Sequence, residues 1–349
     1  MLLLGPNGTG KSAVLDVLTA LRNLLSGRPK VDDPDVFPPD SVTAWRSARK
    51  PTQTFELDIG TRETGDLTYR LEVEHDLENQ RSRVLVERLS APTGMLFEFS
   101  RGDVKLYRDD HTPGPQLSGD WSESWLARFT SHRDNPRPAR FLEYVSRLVV
   151  CGLYPLAMVA EARAEESVLA RDGSNFAAWY RGMIQERPDL AQAHESALKE
   201  VFGEFHGLRM ERVGSDTRAL KAVFAHDGDR YELRFDQLSD GQRALTFLYA
   251  LLHLTRAAAP TLVLDEPDNY LGLAEIQPWL LSVLEATGEQ LSQVIICSHN
   301  PEVVDFAGGE HGVLLNRVGA GPVTARRVSD LDLQGGLKLS EVVARGWQA

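Results

Sequence analysis

Residues 1–12 read MLLLGPNGTGKS, a short apolar run followed by a glycine-rich octet. Within it, GPNGTGKS (5–12) fits G-x-x-x-x-G-K-[ST], with Gly5, Gly10, Lys11 and Ser12 at the defining positions. The glycines let backbone N–H groups turn inward and ring a phosphate. Val14, Leu18, Leu21 and Leu25 follow at helical spacing, so a helix adds the positive end of its dipole. The motif predicts phosphate contacts from Gly5, Pro6, Asn7, Gly8, Thr9, Gly10, Lys11, Ser12 and Ala13. Lys11 would reach the β- and γ-phosphates, and the Ser12 hydroxyl would bind Mg²⁺. A turn that only joined a strand to a helix would need neither the lysine nor the hydroxyl.

Around this segment lies a chain of 349 residues, enough for one large domain or two smaller ones. Hydrophobic residues are 42% and charged residues 25%, as in soluble globular proteins. No apolar run approaches the roughly 20 residues of a membrane helix, and MLLL is too short for a signal peptide. Cys151 and Cys297 are far apart and form no CxxC, which predicts reduced thiols, a cytoplasmic location and no metal site on them. The net charge of −12 argues against coating nucleic acid by charge alone, while leaving room for a local basic patch.

RPKVDDPDVFPPDS (28–41) reads as a surface loop. Alternating stretches then follow, including TFELDI, LTYRLEVEHD, SRVLVERL, MLFEFS and VKLY. They predict an antiparallel lobe of about five strands over 52–110. Over 120–205 the period is helical, clearest in ARFLEYVSRLVV and NFAAWYRGMIQERPDLAQAHESALKEVF. ALKAVFA and RYELRF flank HDGD as a hairpin. The rest of 206–349 alternates helices with the apolar strands TLVLDE, QVIICS and GVLLNRV. The expected fold class is α/β: a phosphate-loop domain with a parallel core sheet, an antiparallel lobe and a helical insertion. Met1–Ala349 would form a single head, opened by the phosphate-loop segment 1–30.

TLVLDEP places Asp265 and Glu266 at the carboxyl end of a buried strand, where ligands of open α/β sheets gather. Asp265 would hold Mg²⁺ directly or through water, and Glu266 would orient and deprotonate the attacking water. Acids capping a strand are common by themselves; a phosphate loop in the same chain gives them a partner. In LSDGQRALTFLYALLHL, Ser239 and Gln242 form a capping box. Any buried helix can begin this way, yet Ser239, Gly241, Gln242 and the bare helical amides also suit an anion.

LSDGQ is similar to the LSGGQ signature of ABC-class ATPases, LVLDEP resembles their Walker B segment, and IICSHNPEVVD resembles their switch strand. Lys11 and Ser239 lie about 225 residues apart, and no heptad run fills the interval. With RDGSNFAAWY ahead of the signature, the chain resembles the short SMC/RecF-like and OLD-like proteins called AAA family ATPases. The resemblance spans nearly the whole chain. It implies ATP and Mg²⁺ as cofactors, with Lys11, Glu266 and His299 catalytic and Ser12 and Asp265 on the metal. His299 would sense the γ-phosphate. It further implies an ATP-dependent homodimer in which Ser239 and Gly241 reach the nucleotide of the other copy.

Relatives carry an E-N-x-L-H-P-like run where this chain has DNYLGLAEIQP, so Asp268 and Asn269 stand for the D-loop without its histidine. Gln53 and Gln116 are the candidates for a Q-loop glutamine. ABC-class heads also carry a strand pair ahead of the phosphate loop. The reading is a start codon assigned too late, or else a clipped chain, with poor base binding and an unprotected sheet edge. Three roles follow: an ATP-driven switch in DNA maintenance, repair or anti-phage defence, acting on DNA or on a separately encoded effector such as a nuclease; a transporter ATPase subunit; or a nucleotide-gated scaffold with little turnover. No membrane contact is expected. His132, Arg133, Arg137 and Arg140 either meet phosphates or form a solvated helix start.

Overall fold

The computed structural model describes residues 1–43, 49–61, 65–128, 135–255, 258–319, 321–331 and 338–344. Its first strand, β1 (Leu2–Leu4), is buried at every position and leads through the glycine loop into helix α1 (Lys11–Leu25). The chain forms two compact units, Met1–Leu15 with Val149–Ala349, and Asp16–Leu148.

Within Asp16–Leu148, six strands follow one another as an antiparallel meander: β2 (Thr52–Thr61), β3 (Gly65–Asp76), β4 (Arg81–Ala91), β5 (Gly94–Ser100), β6 (Asp103–Tyr107) and β7 (Pro113–Ser118). Alternation dictates the buried face, with Leu67, Tyr69, Leu71 and Val73 at 0% exposure. The lobe has one strand more than the sequence suggests and runs past residue 110. Pro113 and Gly114 read as turn residues, but an edge strand tolerates proline at its first position. Helix α2 (Pro136–Ser146) sends Phe141 onto Tyr69, with ring centroids 5.2 Å apart. The buried Glu87 carboxylate accepts hydrogen bonds from Tyr69 Oη, Ser124 Oγ and the backbone N–H groups of Trp125 and Leu126. That set satisfies a charge which burial would otherwise expel.

The second unit continues with β8 (Leu148–Gly152), β9 (Glu161–Ala162), α3 (Phe176–Glu186), α4 (Pro188–Val201), β10 (Phe205–Arg212), β11 (Arg218–His226), β12 (Asp229–Arg234), α5 (Asp240–Leu254), β13 (Thr261–Asp265), α6 (Leu273–Ala286), β14 (Gln293–Cys297), α7 (Pro301–His311), β15 (Gly312–Arg317), β16 (Val323–Arg327) and α8 (Leu339–Ala344). The core sheet runs β16-β15-β1-β14-β13-β8. β1 pairs in parallel with both β14 and β15, and β13 pairs in parallel with β14. The first strand is therefore central, and no sheet edge lies open beside it; the edges are β16 and β8. The expected β11–β12 hairpin is present, with β10 and the short β9 added to it.

The helical reading of 120–205 needs one correction. ARFLEYVSRLVV is not one helix: α2 ends at Ser146 and LVVCG becomes β8, an edge strand of the core sheet. A short apolar run cannot be told from a buried helix by periodicity, and its β-branched valines favour the strand. The helical stretch NFAAWYRGMIQERPDLAQAHESALKEVF forms two helices, α3 and α4, divided at Arg187. Pro188 pushes the preceding residue out of the helical region and then opens α4.

α4 brings His194 into the core at 0% exposure, where Nε2–H donates to the Thr246 carbonyl at 3.0 Å and Nδ1 has no partner. Burial, with a small contribution from His253, pushes the imidazole down to about 3. The folded value lies below the unfolded one, so the stabilisation is present above the unfolded value and is lost as pH falls. Urea unfolding is expected to show stability falling by up to about 1.4 kcal/mol per pH unit below roughly pH 6. His194→Gln should be less stable at neutral pH, with a shallower acid slope; equal slopes in both proteins would contradict this.

Candidate active site

The glycine loop owes its course to backbone that only glycine adopts easily: φ is +147° at Gly5, +81° at Gly8 and +84° at Gly10. At Gly5 a Cβ would sit 2.4 Å from the Leu315 carbonyl oxygen, so the loop also packs too closely on β15 for any side chain. Thr9 Oγ1 donates to the Pro6 carbonyl at 2.8 Å and closes the turn. Pro6, Asn7, Gly8, Ser12 and Ala13 are exposed, whereas Lys11 is only 8% exposed. Its Nζ donates to the Gly5 carbonyl at 2.7 Å and the Pro6 carbonyl at 3.4 Å. The loop's own oxygens thus hold an ammonium group at its interior.

Sheet order brings the acids to this loop. Asp265 ends β13 and pairs in register with Cys297, the last residue of β14. Ser12 Oγ donates to Asp265 Oδ2 at 2.9 Å across 253 residues of sequence. Glu266 follows with φ +47°, a left-handed conformation costly for a residue with a side chain, and its N–H is tied to the Cys297 carbonyl at 2.8 Å. The kink turns its carboxylate toward the next strand's exit. Oε1 accepts from His299 Nδ1 at 2.8 Å, and Oε2 accepts from Asn269 Nδ2 at 2.6 Å. Burial pushes the Glu266 carboxyl up, but the two hydrogen bonds and the charges of His299 and Lys11 outweigh it and hold it below the usual carboxylate range. It is therefore ionised at neutral pH, accepts only, and requires the proton on His299 Nδ1.

Behind them, Asp268 is buried with Oδ1 unpartnered, and burial raises its carboxyl. The buried Cys297 thiol is pushed up to about 12 by burial and by Asp265, which keeps it protonated and unreactive.

The three residues expected from the signature occupy the start of α5. Ser239 Oγ accepts from the Gln242 N–H at 3.2 Å, and Gln242 Oε1 accepts from the Ser239 N–H at 3.1 Å, completing the capping box. Ser239 is exposed. A Cβ on Gly241 would lie 3.2 Å from the Tyr270 carbonyl oxygen, so this helix end rests against the segment that follows the acids. Among the described residues no hydrogen bond joins Ser239, Gly241 or Gln242 to the glycine loop, Asp265, Glu266 or His299. Gln53 is engaged within its own unit, accepting from His75 Nε2 at 2.8 Å and donating to the Ser41 carbonyl at 3.2 Å. Gln116 lies on β7 of that unit. Arg137 faces Asp109 at 3.7 Å, while His132 and Arg133 lie outside the described residues.

Two contacts are not legible in the sequence, although Asn269 is among its D-loop candidates. Asn269 buttresses Glu266, and Arg243 donates from a buried guanidinium to the Pro155 carbonyl at 2.6 Å, joining α5 to the loop that leaves β8. Arg243 adjoins the signature directly, a signal that was available. An open cleft of about 600 Å³ lies elsewhere, lined by Glu161, Arg163, Glu166, Asn175, Arg234 and Asp236 among others. None of the site residues above lines it, and Arg234 is matched by Glu161 and Asp236.

The described residues contain no helix long and apolar enough to cross a membrane. No curated protein matches the chain. Among solved structures, an Smc head bound to the C-winged helix domain of ScpA aligns with a TM-score of 0.46 and 13% identity, covering 94% of this chain and 90% of that one. The SMC head domain from Thermotoga maritima aligns at 0.44 and 14%, covering 94% and 89%. An Smc head with an extended coiled coil from Pyrococcus furiosus aligns at 0.42 and 12%, covering 94% and 90%. Residues 1–305 match the family described as "AAA domain, putative AbiEii toxin, Type IV TA system". That span takes in the glycine loop, the capped start of α5, the acids ending β13 and His299, and the chain belongs to this AAA-domain family of ATPases.

Proposed function

We propose that the protein binds ATP with Mg²⁺, hydrolyses it, and uses the cycle to join and separate a pair of its own copies. The observation that carries this reading is the convergence of Ser12 on Asp265 and of Glu266 on His299, at 2.9 and 2.8 Å. The donors fit the cofactors. Ser12 and Asp265 offer hard oxygens, which suit Mg²⁺ completed by phosphate and water. Lys11 and the amides of residues 8–13 offer positive charge to the phosphates. In this reading Glu266 is the general base and His299 holds it while sensing the terminal phosphate. Held by Ser12 and Asp265, Mg²⁺ would supply charge neutralisation at the phosphates.

Ser239, Gly241 and Gln242 serve the nucleotide of the partner copy. The support is the exposure of Ser239 and the half-buried position of Gly241 and Gln242 beside it, together with the lack, among the described residues, of an acceptor for the Ser239 hydroxyl proton and of any hydrogen bond from the three to the site of their own chain. The cellular role is a nucleotide-driven switch in DNA maintenance, repair or defence, working on DNA or through a separate effector. The family description, which names a toxin of a type IV TA system, accords with defence.

Phosphate release measured with and without DNA, alongside sedimentation with and without ATP, tests the proposal. Turnover with an ATP-dependent doubling of mass is expected. No phosphate release in either condition would replace the switch by a nucleotide-gated scaffold. Ser239→Arg provides a sharper test. It removes a cap worth about 1 kcal/mol and blocks the cross-subunit contact, so turnover should fall about tenfold or more with ATP affinity nearly kept. Full turnover in that variant would remove Ser239 from the site.

A further inference from the structure

We infer that Tyr154 donates its hydroxyl to the terminal phosphate of the bound nucleotide. This rests on the reading above, in which Lys11, Ser12 and Asp265 hold a triphosphate and its metal. The argument begins with the edge strand that the sequence disguised. β8 ends at Gly152, beside the end of β13. The point where a Gly152 Cβ would sit is 3.9 Å from Asp265 Cβ and 3.4 Å from Tyr154 Cε2. The tyrosine ring and the root of the Asp265 side chain thus flank one small gap, which a glycine leaves open.

Tyr154 is 60% exposed, although its neighbours on the chain are firmly held. Leu153 and Met158 are buried at 6% and 1%. The Gly152 N–H donates to the Arg171 carbonyl at 2.7 Å, and the Ala157 N–H donates to the Tyr154 carbonyl at 2.9 Å. Arg243, 8% exposed and paired with Asp240, fastens the Pro155 carbonyl. A fixed backbone therefore presents a ring to solvent at the carboxyl end of the core strands, where ligands of such sheets gather. Presentation on a rigid support lowers the entropy cost of a contact.

The local sequence leaves one group to make that contact. In GLYPLAMVA (152–160) the Tyr154 hydroxyl is the one side-chain oxygen or nitrogen. Among the described residues it has no hydrogen-bond partner. A phenol is a donor, and an anionic phosphate oxygen is the acceptor that strengthens such a bond most. Leu156 and Val159, 77% and 50% exposed, lie on the same loop. A purely apolar contact face would therefore use the ring and not the hydroxyl, and removal of a single oxygen atom separates the two.

Titration calorimetry with Mg²⁺ and either ADP or the β,γ-imido triphosphate analogue tests the assignment on full-length wild type, Tyr154→Phe and Tyr154→Ala. Tyr154→Phe is expected to weaken the triphosphate analogue about tenfold, the range of one charge-assisted hydrogen bond, and to change ADP less than about twofold. The melting temperature of the ligand-free protein should stay unchanged, because the side chain is exposed. Unchanged analogue affinity in Tyr154→Phe overturns the inference, as does equal weakening of ADP and analogue. A loss seen only in Tyr154→Ala also overturns it and assigns the ring to packing. Lys11→Ala, measured in parallel, separates the two levels: if it binds the analogue as wild type does, the nucleotide reading itself fails.

Discussion

Glu266→Gln is expected to lower ATP turnover by about 10²–10⁴-fold, the range for losing a general base, while ATP still binds and the two copies stay joined. The substitution keeps size and shape, so it isolates proton transfer. The wild-type carboxylate accepts at both oxygens, from His299 Nδ1 and Asn269 Nδ2. An amide can accept at only one of them, and its NH₂ must face the other donor. One of the two contacts is therefore lost along with the base, and a water lined up by Glu266 loses both its acceptor and its direction. Folding should survive, because Glu266 is partly solvent-exposed and its backbone tie to Cys297 does not involve the side chain. Phosphate release and sedimentation in ATP report the two halves of the prediction. Normal turnover would show that Glu266 is not the base.

Lys11→Ala is expected to weaken ATP by about 100-fold or more, the cost of leaving phosphate charge without its ion-paired donor. Without nucleotide, the ammonium is held by the Gly5 and Pro6 carbonyls inside the loop. Phosphate would draw it away from those oxygens, so the lysine is preorganised close to its working place. Alanine removes the charge and also leaves two carbonyls facing a gap that water must fill. The loop's shape depends on its glycines and on Thr9, so the fold should persist and the melting temperature of the ligand-free protein should change little. Fluorescent-nucleotide binding measures the loss. Affinity within about threefold of wild type would mean that the loop does not carry the phosphates.

These two residues differ in how visible they are in the sequence. Lys11 lies within a contiguous octet, so its place in the glycine loop follows from local spacing alone. The partners of Glu266 are different. Its hydrogen bond to His299 requires β13 and β14 to lie side by side in register, and its inward turn requires φ +47°. A string of residues shows neither. β8 is hidden for another reason: five apolar residues after a helix satisfy helical and extended patterns alike, and only pairing with β13 decides between them. Read as helix, that run hides the approach of Gly152 to Asp265, where a Cβ on the glycine would sit 3.9 Å from Asp265 Cβ.

The sequence by itself determined the glycine loop, the acids at a strand end, the capped helix start and the α/β class. Each depends on residues within one turn or one strand of each other, where covalent geometry limits the outcomes. Tertiary structure alone decided that β1 is central, that Ser12 meets Asp265 across 253 residues, and that Glu266 is held by His299 and Asn269. Those contacts arise from the order and register of parallel strands. That order is set by burying apolar faces over the whole unit, a sum over distant residues that no short window contains.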